Sequence, residues 1–374
     1  MKRTYKISAF VTALTLTSCT VSCGSKSSSS EIQETSAAVT SAETTQETTQ
    51  ETETQTSEQT QTTTEKPAGT TAEPTTSEAP KPKVSDYMTF SGTPQPAMWK
   101  ATDPKTGNVL YMLGTVHIKP EDAPELPQYV LDVYDSCDSI AVEYNVVELQ
   151  SDMSTMQSFV KGMMYTDGTT VKDHISGECY EKAVDFLSEH GMYSQLYDMF
   201  MPGFWVDLVS SVTLLNIADV SDEGVDAYFI KRCSKDGKKV LNIETLDAQM
   251  NVLVAYSDPL AEFMLSDAVD TAGETAAVAE SYAQIYDCWA SGEIDGLADS
   301  YQDMENVPDE LMDDYKDYIK VILTDRNSVM ADRAAEFLSE GTNCFFMVGA
   351  MHFSGSRGVD DLLAEKGYTV ERIH

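Results

Sequence analysis

Two stretches of the chain write the same phrase. In YMLGTVHIKP, residues 111–120, His117 follows Gly114 by three residues at the end of an apolar run. In FFMVGAMHFSG, residues 345–355, His352 stands in the same relation to Gly349. The chain has only five histidines, so this doubled G-x-x-H uses two of them. A third apolar run, SIAVEYN, carries Glu143 at its end. Two imidazoles and a carboxylate are a sufficient ligand set for a catalytic transition metal that keeps one position open for water. Such an ion brings the pKa of its bound water from about 15.7 towards 7 and polarises a carbonyl under attack. Imidazole and carboxylate ligation suits Mn, Co or Zn alike.

For these residues to meet, the chain must bring distant strands together. MWKAT and NVLYMLGT flank DPKTGN, a stretch of turn formers, which predicts a hairpin with strands near 97–102 and 109–115. PQYVLDVYDSC has helical spacing, and the apolar run before Glu143 reads as a strand. Helical patterns then occupy most of 177–340, broken by the short strand KKVLNIE before Glu244. NCFFMVGA reads as an inner strand, and GVDDLLAEKGYTVERI as a helix, a glycine stop and a last strand. The expected class is α/β, a mixed sheet built from N- and C-terminal strands with a large helical middle section. In such sheets ligands bind beyond the carboxyl ends of the strands, which places His117, Glu143 and His352 at one rim. Gly114 and Gly349 would let the chain bend there or let a neighbour approach closely.

Other polar residues have plainer expectations. Ser221 suits a helix N-cap, and Glu223 and Asp226 suit charges at the start of that helix. Glu244 reads as a supporting base or a helix cap, and Arg326 of LTDRN as a charge on a helix surface. His174, His190 and His374 read as structural, and the Met-rich stretches as packing. There is no H-E-x-x-H, G-x-S-x-G, P-loop or G-x-G-x-x-G.

The N-terminus suggests a location. MKRTYK followed by ISAFVTALTLTSC has the charged and apolar regions of a secretory signal, and the apolar part is too short to span a bilayer. Its LTSC ending is similar to a bacterial lipobox, with Cys19 as the lipidated residue and Cys23 as the alternative. Residues 1–19 are thus expected to be a lipoprotein signal peptide, and the protein an extracytoplasmic one, lipid-anchored to the cell membrane. Residues 20–85, rich in Thr, Glu, Ser and Gln, cannot bury enough apolar surface to order themselves and read as a tether. Residues 86–374 read as one domain. A formal net charge of −36 argues against nucleic acid as a partner. Cys137, Cys179, Cys233, Cys288 and Cys344 are widely spaced, without a C-x-x-C, and are expected to be mostly buried.

Taken together, YMLGTVHIKP, SIAVEYN, EGVDAYFIKRCSKDGKKVLNIETLDAQ, LTDRN and CFFMVGAMHFSGSRGVDDLLAEKGYTVERI resemble the TraB/GumN family over about residues 95–374. That family is related to the Tiki-type metalloproteases and the pheromone-shutdown proteins. The resemblance implies an α/β fold with two G-x-x-H motifs and a glutamate at the active centre, which fall on Gly114/His117, Gly349/His352 and Glu143. It also carries over Asp226 and Arg326. The activity it implies is metal-dependent hydrolysis of a peptide or protein substrate, and related folds suggest the alternative of a non-catalytic lipoprotein that binds metal or haem.

Overall fold

Asp103 closes the expected hairpin. Its carboxylate accepts from the Lys105 backbone N–H at 2.8 Å and from the Thr106 hydroxyl at 2.9 Å, the local bonding that makes aspartate a turn former. The two strands are β1 (Met98–Thr102) and β2 (Val109–Thr115). The computed structural model describes residues 80–221, 223–297 and 307–374. The expected signal peptide, Cys19 and nearly all of the expected tether lie outside the described residues. The further strands are β3 (Lys119–Pro120), β4 (Ser139–Val142), β5 (Val220–Ser221), β6 (Lys239–Asn242), β7 (Cys344–Gly349) and β8 (Thr369–Arg372). β3 and β5 pair with each other, and the rest form one mixed sheet in the order β6-β4-β7-β2-β1-β8.

The centre of that sheet is parallel: β2 runs with β7, β7 with β4, and β4 with β6. β1 is antiparallel to both β2 and β8. The four adjacent strands β6, β4, β7 and β2 therefore point their carboxyl ends at one rim, and β8, beyond β1, runs the same way. The ends of the four are also level, since Thr115 pairs with Gly349, and Val142 with both Met347 and Asn242. β4 is buried throughout and β7 is buried up to Val348, as inner strands covered on both faces must be.

Twelve helices are described: α1 (Gln128–Ser136), α2 (Val146–Ser151), α3 (Met153–Gly162), α4 (Gly177–Glu189), α5 (Pro202–Leu214), α6 (Val225–Asp236), α7 (Leu246–Val254), α8 (Asp258–Thr271), α9 (Thr275–Ser291), α10 (Met312–Ile319), α11 (Asp325–Glu340) and α12 (Val359–Glu365). α1, α6, α11, α12 and one end of α9 pack on the sheet. α4, α5, α8 and α10 bury a second apolar cluster, which is the expected helical middle. α5 is buried along its whole length, the consequence of a sequence (FWVDLVSSVTLL) that is apolar on nearly every side. Among the described residues no helix is long and apolar enough to cross a membrane.

Three expectations are amended. Ser221 is no N-cap: it lies in β5, its hydroxyl accepts from the Glu223 N–H at 3.1 Å, and α6 is capped by Gly224. Packing begins at Lys81 and not at residue 86, because Val84 is buried and Ala218 N–H donates to Pro82 O at 2.8 Å. Of the Met-rich stretches, Met163 is core, but Met153 and Met199 are exposed. The five cysteines from Cys137 onward are free, and all but Cys288 are buried.

Candidate active site

His117 lies two residues beyond the end of β2, where α6 begins. A Cβ on Gly224 would fall 2.4 Å from Val116 O and from His117 Cα. Only glycine lets a helix start against that backbone, and the Val225 N–H then donates to Val116 O at 2.9 Å. One residue further, Asp226 Oδ2 stands 3.0 Å from His117 Nδ1, while its Oδ1 accepts from the Thr115 hydroxyl at 2.9 Å. Asp226 is therefore more than a charge at a helix start. Glu223 has the plainer role, a surface ion pair with Lys231 at 2.9 Å.

His352 is delivered by the turn after β7. Ala350–Phe353 form one 3-10 turn, and the imidazole is 4% exposed. Its Nδ1 lies 2.6 Å from Asn327 Oδ1. The Asn327 amide nitrogen donates to Arg357 O at 2.9 Å, which orients the amide with its oxygen towards the ring. An amide oxygen can only accept, so Nδ1 carries the proton and Nε2 keeps its lone pair. That Nε2 is 3.7 Å from Glu143 Oε1.

Glu143 follows β4 directly. Its Oε1 accepts from the Gly349 N–H at 2.8 Å and its Oε2 from Arg326 Nη2 at 2.5 Å. The Arg326 guanidinium also grips Glu244, with Nε to Oε1 at 2.9 Å and Nη2 to Oε2 at 2.7 Å. Gln249 donates to Glu244 Oε2 at 2.7 Å. A π-helical stretch, Lys320–Thr324, precedes α11, and Ile322 O accepts from Arg326 Nη1 at 3.2 Å; such widened turns recur at functional sites. Two expectations change accordingly. Arg326 is a buried cation between two carboxylates and not a surface charge. Glu244 is not a cap either, since the Thr245 hydroxyl caps α7 by accepting from the Ala248 N–H at 3.2 Å.

The three side chains converge above Gly349. A Cβ built there would lie 3.3 Å from Glu143 Oε1, 3.6 Å from His352 Cδ2 and 3.7 Å from His117 Nε2. The other glycine answers the same need from the opposite side, because a Cβ on Gly114 would lie 3.0 Å from Ala350 Cα. Each glycine of the doubled motif thus makes room for what the other motif carries. The remaining histidines are structural. His174 bridges Thr169 and Asp258, His190 binds Phe186 O at a helix end, and His374 stacks on Tyr129.

The charges are unequal by design of the surroundings. Burial opposes ionisation of Glu143, but Arg326 outweighs it, aided by the two imidazoles and the Gly349 N–H, and holds the carboxyl well below its usual range. Burial raises Glu244 despite Arg326. Burial and the nearby guanidinium push His352 down to about 3, so it is a neutral donor at pH 7. Burial acts against a charged His117 too, yet Asp226 outweighs it and the imidazole is raised.

Both imidazoles have Nδ1 engaged by an acceptor and present Nε2 to the cradle beside Glu143. That is the support normally found behind metal-ligating histidines. As arranged, no set of three or more His, Cys, Asp and Glu side chains among the described residues is placed to hold an ion. The donor types suit a transition metal, with one anion, two neutral-capable nitrogens and a glycine in place of a blocking side chain.

Sequence patterns located His117, Glu143 and His352 by their strand ends. They missed Gly224, the contact of Asn327 with His352 and the arginine-holding role of Glu244. The available signals were a glycine directly before a helix, and a polar pair, Arg-Asn, inside an otherwise amphipathic one. No curated protein and no solved structure matches the chain. A family model does match, over residues 97–372, which takes in every residue of this rim and the whole sheet. The chain belongs to the TraB/PrgY/gumN family.

Proposed function

We propose that the protein is a metal-dependent hydrolase, acting on peptides or proteins, in which His117 and His352 hold a divalent ion (Mn, Co or Zn) with Glu143 as the carboxylate beside it. One observation carries this reading: two imidazole Nε2 edges, each aimed by an acceptor on Nδ1, face one small space lined by a carboxylate and a glycine. The ion, when bound, would supply an activated water and polarise the carbonyl. The chain's own groups do the rest. Asp226 and Asn327 fix the rings, Arg326 keeps Glu143 ionised, and Gly349 leaves room for the reacting atoms. Glu143 accepts a hydrogen bond from the attacking water and so aims it.

Haem suits the site poorly. A porphyrin needs an open face over its imidazole; His117 is the more open ring, with its side chain 28% exposed, but His352 is buried with a carboxylate oxygen 3.7 Å from its Nε2, so the two rings together do not suit one. The signal-like N-terminus and Cys19 support a lipid-anchored, extracytoplasmic protein with the domain held off the membrane by its Thr- and Glu-rich segment.

The test is a peptide-library digest with metal-replete protein, parent against His352→Ala. Cleavage should fall at least about a hundredfold, in a variant that still unfolds cooperatively though at a lower melting temperature, since His352 is buried and bonded to Asn327. Parent-like cleavage by the variant would refute the mechanism. In the parent, ion binding should also stabilise the fold by about 2.7 kcal/mol at a hundredfold excess over Kd.

A further inference from the structure

The segment by which the chain enters the fold is tied at two carboxylates, and both ties run to the end of β2 that carries His117. Asp219 makes the first. It is the one non-glycine residue with positive φ among the described residues, at 56°. In that conformation its Oδ1 accepts from the Val84 N–H at 2.7 Å and its Oδ2 from the Ser85 N–H at 3.2 Å, and Oδ2 also takes the Ser85 hydroxyl. A left-handed backbone costs an L-residue about 1–2 kcal/mol, and such conformations persist where the surroundings demand them. Asp219 O accepts from the Glu121 N–H at 2.9 Å, and the next two residues, β5, pair with Lys119–Pro120 of β3. His117 is two residues before β3.

Asp287 makes the second tie. Its Oδ2 accepts from both the Thr89 N–H and the Thr89 hydroxyl at 2.6 Å. Two residues along the same helix, α9, Trp289 Nε1 donates to Gly114 O at 2.9 Å. Gly114 is the glycine of the first G-x-x-H. One end of the entry segment is thus bonded to the ladder just after His117, and the other to the helix that grips the backbone just before it.

We infer that residues 82–90 act as a positioning strap that holds the His117 end of β2 in place at the candidate active site. His352 and Glu143 are held mainly by other partners, in β7, β4, Asn327 and Arg326. The strap serves the site proposed above and rests on that reading only for its consequence, not for its mechanics.

The test is hydrogen exchange on the full chain, comparing the parent with Asp219→Gly, Asp219→Asn and Asp287→Ala. Asp219→Gly removes the clasp while accepting the positive φ, so backbone strain cannot account for its effect. The expected result is exchange at the amides of 116–121 (Pro120 has none) faster by about tenfold or more in Asp219→Gly and Asp287→Ala, with β4 and β7 unchanged, and partial recovery in Asp219→Asn. Exchange within about twofold of the parent at 116–121, or an equal rise across β4 and β7, would overturn the strap. Peptide cleavage measured in parallel keeps the two ideas apart. A parent that cleaves nothing while 116–121 loosens refutes the enzyme and leaves the strap; a parent that cleaves with 116–121 unmoved in the variants does the reverse.

Discussion

Replacing Arg326 with methionine keeps much of its volume and removes the one cation shared by Glu143 and Glu244. Their side chains are 13% and 1% exposed, so neither carboxylate can turn to bulk water for compensation. Breaking a buried pair by deleting one partner costs about 3–5 kcal/mol. Here one guanidinium serves two acids, which points to the upper end. At about 2–4 °C per kcal/mol the melting temperature should fall by at least about 10 °C. The loss must also depend on pH, with a definite sign. In the parent, Arg326 holds Glu143 below the usual carboxylate range. That stabilisation is fully present above the unfolded pKa of about 4.3 and is lost as pH falls through the folded value. In the variant the two buried acids titrate above their unfolded values, so their penalty grows as pH rises. Parent and variant should therefore differ most at pH 8 and approach each other towards pH 4. Urea unfolding at pH 8 and pH 5 measures this directly. A loss below about 1 kcal/mol at pH 8, or one identical at both pH values, would refute the view that Arg326 holds the site together by charge.

Gly349→Ala should fold, since its φ of −49° suits alanine and no atom lies closer than 3.3 Å to the new methyl, but it fills the space between Glu143, His352 and His117. Peptide cleavage and divalent-ion affinity should both fall at least about a hundredfold, and a fully active variant would move the reaction elsewhere. Asn327→Leu removes the acceptor on His352 Nδ1; divalent-ion affinity by calorimetry should weaken about 10–100-fold, and unchanged affinity would remove Asn327 from the site. Asp207 is fully buried in α5 with neither carboxylate oxygen partnered among the described residues, and burial raises its pKa well above normal. Its penalty is absent where the acid is protonated in both states and grows with pH. Asp207→Asn should therefore gain on the parent by up to about 1.4 kcal/mol per pH unit above about pH 4 until the folded pKa is reached; equal urea midpoint shifts at pH 5 and pH 8 would contradict this.

Much of the fold was legible because its signals are local. The hairpin needs only two apolar runs and a turn former at Asp103, and the inner strands announce themselves as continuous apolar runs bounded by polar residues. The convergence of His117, Glu143 and His352 was legible for a different reason, which is that parallel strands must present their carboxyl ends on one side. Arg326 and Glu244 were misjudged for want of such a rule. A helix pattern says which face is apolar, not which polar residue on its margin finds a carboxylate just past a strand 82 residues away. Ser221 failed as a cap because the helix start was decided by a contact with Val116 and His117, far away in sequence.

By itself, then, the sequence determined the strands of the main mixed sheet and the chemical types gathered at its rim, since these follow from apolar periodicity and from the handful of residues that can bind or transfer protons. The tertiary structure alone decided their state: which ring nitrogen is left free, which carboxylate has a cation and which imidazole stays neutral. Those properties depend on burial and on neighbours within a few ångströms, and a linear pattern carries no measure of either.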